Sequence, residues 1–525
     1  MRQYLERTIM PESAPILFVI GIEGQIYMAE ALGRELNRPV IAVITNQRIM
    51  EMMTPERIEN FQNIYSLSDC YLEQIDGIRR LSRQELDKEQ RALEKELGVG
   101  CSALYTNYDR TLRWLGGFRK VRNRQLCNIR FAKMIFDEAQ PAFVHSGIAI
   151  YLQHVIHDIC RRKDIPYVRA SSNRSGGAVM YHADGHFVGM EKYFDALTRS
   201  GEKAIDPQNL READEAFDSF VNRPRVPQYA VDGSTLGLNI PLLRKKIGWA
   251  LRREHLFPSQ KVKDVDRAMN IETPPHLIAL SALRTGFRRL HVRLLNVFDK
   301  APDLSVPFVY VPLHYAPEIS DMYFGTDYDH HEAFIAHLSK HIPSDCQLYV
   351  KDHVSMWGRR PAGFYKNLSM LYNVKIIDPA VSTFDLIKAA RATLTVTGTA
   401  GWEAYLLGRP VVVLGDVFYN FLPGLLHCPV NRDFFKNLTD YLENFKASEK
   451  DRRNAWRAYH ACSFPHPYVD IGETTTRQEA VEMAARYAAD MHIFIRECSA
   501  ELGGKFPTDL VGRENLQSVK IRSVH

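Results

Sequence analysis

The chain has 525 residues, of which 45% are hydrophobic, 25% charged and 10% aromatic, the balance of a globular protein with two or three domains. A formal net charge of +5 is small for that length and gives no electrostatic footprint of nucleic acid. No run approaches the ~18 apolar residues of a membrane span, and the first fifteen residues contain no apolar signal core. The eight cysteines, at 70, 101, 127, 160, 346, 428, 462 and 498, include no C-x-x-C pair, so they read as reduced thiols in a cytoplasmic protein.

In chain order, the first unit of structure is a strand over Ile16–Ile20, a turn at Gly21-Ile22-Glu23-Gly24, a helix from about Gln25 to Leu36 and a strand over Val40–Thr45. A charged, mostly helical stretch follows over Pro55–Glu138. Pro141–Ser146 reads as a strand, Ile148–Arg162 as a helix and Ile165–Ala170 as the next strand. Residues 1–200 are therefore expected to form one Rossmann-like domain with helical insertions. Glu23, at the turn after the first strand, is its best candidate for a base or an acceptor contact. Asp109 and Arg174 are more readily explained as ordinary loop polarity.

Residues 201–305 read as a helical insertion. Over Pro241–Lys300 there are thirteen Lys/Arg against five Asp/Glu. Leu242–Phe257 sets Leu, Ile and Trp on one helical face and Arg/Lys on the other, and Phe287–Phe298 behaves similarly. A solvated basic face packed on the body is one reading. Peripheral contact with an anionic membrane or a polyanionic acceptor is the other.

From Val306 the strand–helix alternation of a parallel sheet returns and runs to about 440, with residues 441–525 expected as further helices and a tail. Strands are expected at Phe308–Val311, Gln347–Val350, Val374–Ile377 and Thr393–Val396, and helices at Glu332–His341, Pro361–Leu371 and Thr383–Ala390. The densest signal is Thr393–Phe421: a strand, a small-residue turn at Thr397–Gly401, a helix at Trp402–Leu407 stopped by Gly408, and an apolar strand at Pro410–Leu414. A Gly/Thr turn opening a helix at the carboxyl end of a parallel strand favours an anion. The segments Pro312–Glu318 and Lys351-Asp352-His353 follow strands of the same sheet and share its edge. Thr397, Gly398, Thr399, Gly401 and Lys351 are thus candidates for binding a donor phosphate, and Glu403 for a ribose contact. His353 is a candidate proton donor to a departing phosphate oxygen, while His314 and Glu318 could orient or deprotonate an acceptor. Asp327-Tyr328-Asp329 has a metal-binding D-x-D spacing, but its place before a helix favours capping, and Asp329-His330-His331-Glu332 does not share a face. No metal and no cofactor are expected.

Together, PLHYAPE (312–318), LYVKDH (348–353), TGTAGWEA (397–404) and LGRPVVVLGDVFY (407–419) resemble the capsular polysaccharide biosynthesis family, which includes bacterial Kdo transferases of GT-B architecture. The resemblance covers Val306–Phe421 closely and residues 1–200 only in layout. The family often has Lys-x-His-Pro where this chain has Lys351-Asp352-His353-Val354. The resemblance implies a GT-B-like α/β fold, with two Rossmann-like domains facing a cleft. It also implies a sugar transferase that takes a nucleotide-activated donor such as CMP-Kdo as co-substrate, with His353 and Thr397–Thr399 on the donor phosphate. The partners expected are a nucleotide-sugar and a glycan or glycolipid acceptor, at the inner face of the cytoplasmic membrane. Two further readings stay open: a UDP-sugar transferase or 2-epimerase-like enzyme on the same scaffold, and a non-enzymatic assembly or export factor.

Overall fold

A computed structural model of the chain describes residues 14–109, 112, 117–172, 179–183, 189–224, 258–269, 284, 287–292, 294–316, 323–361, 363–464 and 476–498. The chain forms two compact units. The first takes residues 1–189, 246–272 and 462–525; the second takes 190–245 and 273–461.

The first unit is built on a sheet of six strands: β1 (Ile16–Ile20), β2 (Val40–Ile44), β3 (Asn63–Ser66), β4 (Phe143–His145), β5 (Tyr167–Ser172) and β6 (Val179–Ala183), in the order β3-β2-β1-β4-β5-β6. All pairs are parallel except β5–β6. Every residue of β1 and β2 is buried, which explains why both strands are unbroken apolar runs. Helix α1 (Gly24–Glu35) covers one face of this sheet. The helix Arg477–Cys498 returns to pack on α1, inserting Tyr487, Met491, Phe494 and Ile495 into the same core. His145 stacks on Phe18 at 4.2 Å and its Nε2 meets the Tyr487 hydroxyl, tying β4 to the returning helix. Burial holds the His145 pKa down to about 3, so the ring is neutral.

The second unit is built on an all-parallel sheet of seven strands: β7 (Phe298–Asp299), β8 (Phe308–Pro312), β9 (Gln347–Lys351), β10 (Val374–Ile377), β11 (Ala392–Thr395), β12 (Val411–Val413) and β13 (Leu426–His427). Their order is β13-β12-β11-β8-β9-β10-β7. Two short helices begin at its carboxyl edge, α2 (Thr383–Ala389) and α3 (Thr399–Leu406). The helices Pro207–Asn222 and Glu449–Ala461 are joined by Arg457, which donates to Asp214 at 2.8 and 2.7 Å and to Glu202 at 2.9 Å.

The α/β class with two mostly parallel sheets is as expected from the sequence. The span 201–305, expected as a separate insertion, contributes to both units. Pro207–Asn222 packs on Glu449–Ala461 in the second, and Gln260–Met269 packs on Leu67–Arg80 in the first. The basic stretch Leu242–Phe257 lies outside the described residues. No helix among the described residues is long and apolar enough to cross a membrane.

Candidate functional site

In the second sheet the chain leaves β8 towards β9 and leaves β11 towards β12, on opposite sides, although β8 and β11 are neighbours. The loops after these strands diverge and leave a crevice at the carboxyl edge, the place where open α/β sheets take ligands. His314 follows β8 and the Thr397–Gly401 turn follows β11, and the structure brings them together. His314 Nε2 accepts the Thr397 N–H at 3.3 Å, which leaves Nδ1 as the protonated nitrogen of a neutral ring.

The turn is packed too tightly to carry side chains at its glycines. The Gly398 N–H donates to Thr395 Oγ1 at 2.8 Å, and the Tyr419 hydroxyl donates to the Gly398 carbonyl at 2.6 Å. A Cβ at Gly398 would stand 2.5 Å from Thr395 Oγ1 and 3.1 Å from His314 Cε1. One at Gly401 would strike the Tyr419 hydroxyl and stand 2.8 Å from Thr395 Cγ2. The helix begins at Thr399 and not at Trp402, so Gly401 lies inside the first helical turn, where close packing overrides its poor helix propensity. Gly398 is the N-cap and supplies no side chain. The N–H groups of Thr399 and Ala400 have no partner among the described residues. This end of α3 therefore presents two open donors and the positive end of a helix dipole to the crevice.

Lys351 ends β9, which β8 separates from β11. Its ammonium is buried, donates to the Val381 carbonyl at 2.6 Å and to Thr383 Oγ1 at 2.8 Å, and so holds the start of α2. Burial lowers its pKa to about 8, against the opposing pull of Asp378 and Glu403. Glu403, half-buried on α3, thus faces Lys351 electrostatically. His353 stands edge-on to Tyr315, with ring centroids 5.9 Å apart. Its Nδ1 accepts the Ser355 N–H at 3.2 Å, which puts the ring proton of the neutral form on Nε2.

Sequence reading did not find the brace beneath these groups. Asp352 is buried and accepts from Arg360 Nε at 3.1 Å and Nη2 at 2.7 Å, and from the Tyr365 hydroxyl at 2.6 Å. Arg360 Nη2 also donates to the His314 carbonyl at 2.9 Å, joining the loop after β8 to the loop after β9. Thr395 and Tyr419, which shape the turn, were not expected either. No local pattern marks any of these residues; only the folded sheet edge gathers them.

Glu23 lies at the corresponding divergence in the first unit, where β1 and β4 are neighbours whose chains leave in opposite directions. It is half-buried beside a turn held by Gln25, whose Oε1 accepts the N–H groups of Gly21 at 2.7 Å and Ile22 at 3.3 Å. Asp109 is buried, and its Oδ2 accepts the Tyr151 N–H at 2.7 Å, capping the helix Tyr151–Lys163. Glu318 and Arg174 lie outside the described residues. Asp327 sits in a short 3-10 turn, and the following helix is capped by His330, whose Nδ1 accepts the Ala333 N–H at 3.2 Å.

Comparison with known proteins adds a family for this region. Residues 315–437 match the family described as "Capsule polysaccharide biosynthesis protein". No curated protein sequence matches the chain. Among solved structures, the chain is similar to Thermosulfurimonas dismutans KpsC, beta Kdo 2,4 transferase, at 15% identity and a TM-score of 0.30, covering 62% of this chain and 85% of that one. The beta Kdo 2,7 transferase of the same KpsC aligns at 13% identity and a TM-score of 0.29, over 63% and 86% of the two chains. The UDP-GlcNAc 2-epimerase from Neisseria meningitidis aligns at 12% identity and a TM-score of 0.22, over 84% and 97%. These likenesses are remote and assign nothing to individual residues. The family match spans the turn, Lys351, His353 and Glu403, all of them in the second unit.

Proposed function

We propose that the protein is a glycosyltransferase of capsular or other cell-surface polysaccharide synthesis, and that the α3 turn holds the phosphate of a nucleotide-activated donor. The reading is carried by the open N–H groups of Thr399 and Ala400 at a helix end without a side-chain cap, in the crevice between the β8 and β11 loops. Lys351 adds positive charge from β9, beyond β8, Glu403 takes the ribose hydroxyls, and His353 gives its Nε2 proton to the departing phosphate oxygen. His314 shapes the turn through Thr397. The acceptor, a glycan or glycolipid, binds the first unit, with Glu23 as the candidate base; Glu318 is the second candidate. The chemistry is metal-independent, because fixed donors and Lys351 replace the cation at the leaving group.

The donor follows from the family resemblance as CMP-Kdo, and a nucleotide screen tests it. With CMP, UDP and GDP each titrated into the full chain, cytidine nucleotides should raise the melting temperature. At a hundredfold excess over the dissociation constant the linkage is worth about 2.7 kcal/mol. The shift should vanish in a His353→Ala, Glu403→Ala double variant. Stabilisation by uridine nucleotides alone would replace the Kdo reading with the UDP-sugar alternative. Normal polymer synthesis by the double variant would favour a non-enzymatic factor.

A further inference from the structure

One buried ion pair reaches both halves of the proposed donor site. Asp352 and Arg360 stand at the two ends of the loop that carries His353, and both are buried. Their pairing closes that loop at its base. The carboxylate is fully used: Oδ1 accepts Arg360 Nη2 at 2.7 Å and the His353 N–H at 2.8 Å, while Oδ2 accepts Arg360 Nε at 3.1 Å and the Tyr365 hydroxyl at 2.6 Å. The guanidinium also rests over the Phe364 ring, 4.9 Å from its centroid, a second hold on its orientation. Arg360 Nη2 makes one more bond, to the His314 carbonyl at 2.9 Å, and the His314 ring accepts the Thr397 N–H. His353, Asp352, Arg360, His314 and Thr397 therefore form one hydrogen-bonded line, from the candidate proton donor to the turn that opens α3.

A buried ion pair seldom stabilises a fold more than a well-packed apolar pair of the same volume, so stability does not explain this one. What it supplies is geometry. The planar fork of an arginine meets the carboxylate along one edge and still directs an N–H at the carbonyl of the neighbouring loop, whereas a lysine ammonium is a point charge with no fixed direction. The two loops so joined follow the adjacent strands β8 and β9. We propose that Arg360 is a positioning residue of the donor site, setting the spacing between His353 and the α3 turn, a role that rests on the proposed donor reading. Arg360 itself touches no donor. It acts through His314 on the turn that offers the Thr399 and Ala400 N–H groups, and through Asp352 on the backbone of His353.

The test takes two measurements on the full chain: site-resolved hydrogen exchange at the Thr397 N–H without ligand, and calorimetric titration with CMP and with UDP. Arg360→Lys keeps a charge beside Asp352 but gives up the fork. Thr397 should exchange about tenfold faster in this variant, as expected when a charge-assisted bond in the line is lost. The nucleotide that binds the unaltered protein should bind the variant about tenfold more weakly. Tyr365→Phe is the comparison, because it removes a bond to the same carboxylate without touching His314, and it should leave both readings unchanged. Thr397 exchange unmoved by Arg360→Lys would overturn the proposal. So would equal effects of the two variants, or faster exchange with nucleotide affinity unchanged, since a purely structural ion pair would give either. Where Arg360→Lys does not fold, Asp352→Asn with Arg360→Met removes both charges together and yields the same two readings. Faster Thr397 exchange in a protein whose unaltered form binds neither nucleotide would keep Arg360 as the residue that places the turn and would remove the donor reading instead.

Discussion

Lys351 is charged against the preference of its surroundings. Its pKa, lowered to about 8 by burial, lies below the ordinary value of 10.5. Between those two values the unfolded chain binds more protons than the folded one, so this residue makes stability rise with pH across that window. Below pH 8 the buried ammonium costs stability, although the carbonyl of Val381 and the hydroxyl of Thr383 keep it hydrogen-bonded. Donor binding has the opposite sign, because an anion at the α3 turn needs the charged form. Nucleotide affinity of the protein should therefore fall as pH rises through about 8. A Lys351→Arg variant should keep its affinity through the same range, since arginine stays charged. Isothermal titration at pH 7 and pH 9.5 checks this, and a parallel decline in the arginine variant would remove Lys351 from the binding account.

At the scale of an element, α3 shows both how far the sequence could be read and where reading stopped. Its turn, the preceding strand and the following strand are legible because β-branched and apolar runs mark buried parallel strands, and glycine marks what lies between them. β1, β8, β9, β10 and β12 were found for the same reason. β3, with the polar sequence NIYS, and the two-residue strands β7 and β13 carry too little pattern to be seen. The antiparallel edge strand β6 was missed beside them. The reason for Gly401 was also hidden, because its tight neighbour Tyr419 lies eighteen positions on and meets it only in the fold. Gly401→Ala should destabilise the second unit by about 1–3 kcal/mol through overpacking. Adding Tyr419→Phe should restore part of that loss, although it removes the hydroxyl bond to Gly398. A double-mutant cycle in denaturant measures the coupling, and strictly additive effects would mean that the hydroxyl is not what Gly401 makes room for. The Asp352–Arg360–His314 brace was illegible on the same grounds: it depends on two loops meeting, and no period in the sequence records that.

At the scale of the molecule, sequence order and structural order differ. The domain pattern suggested successive blocks, whereas the first unit gathers residues from three separate stretches, including the helix Arg477–Cys498. That helix contributes seven residues to the core around β1, from Ala480 to Ile495. A chain ending at Ala461 should keep the second unit, whose residues are all present, and lose the first. Limited proteolysis should then leave a resistant fragment from the second unit and degrade residues 14–189. Survival of the first unit would show that Arg477–Cys498 is an accessory to its core.

The same return of the chain sets an order of assembly. As the polypeptide leaves the ribosome from its amino end, β1 and β2 emerge before the second sheet, yet the layer that seals α1 is made some 440 residues later. The second unit has all its residues once Ala461 is out, so it reaches its native state while the earlier-made unit still waits with an open apolar flank. The part synthesised first is thus the part completed last, and it is the one most dependent on chaperone protection during synthesis.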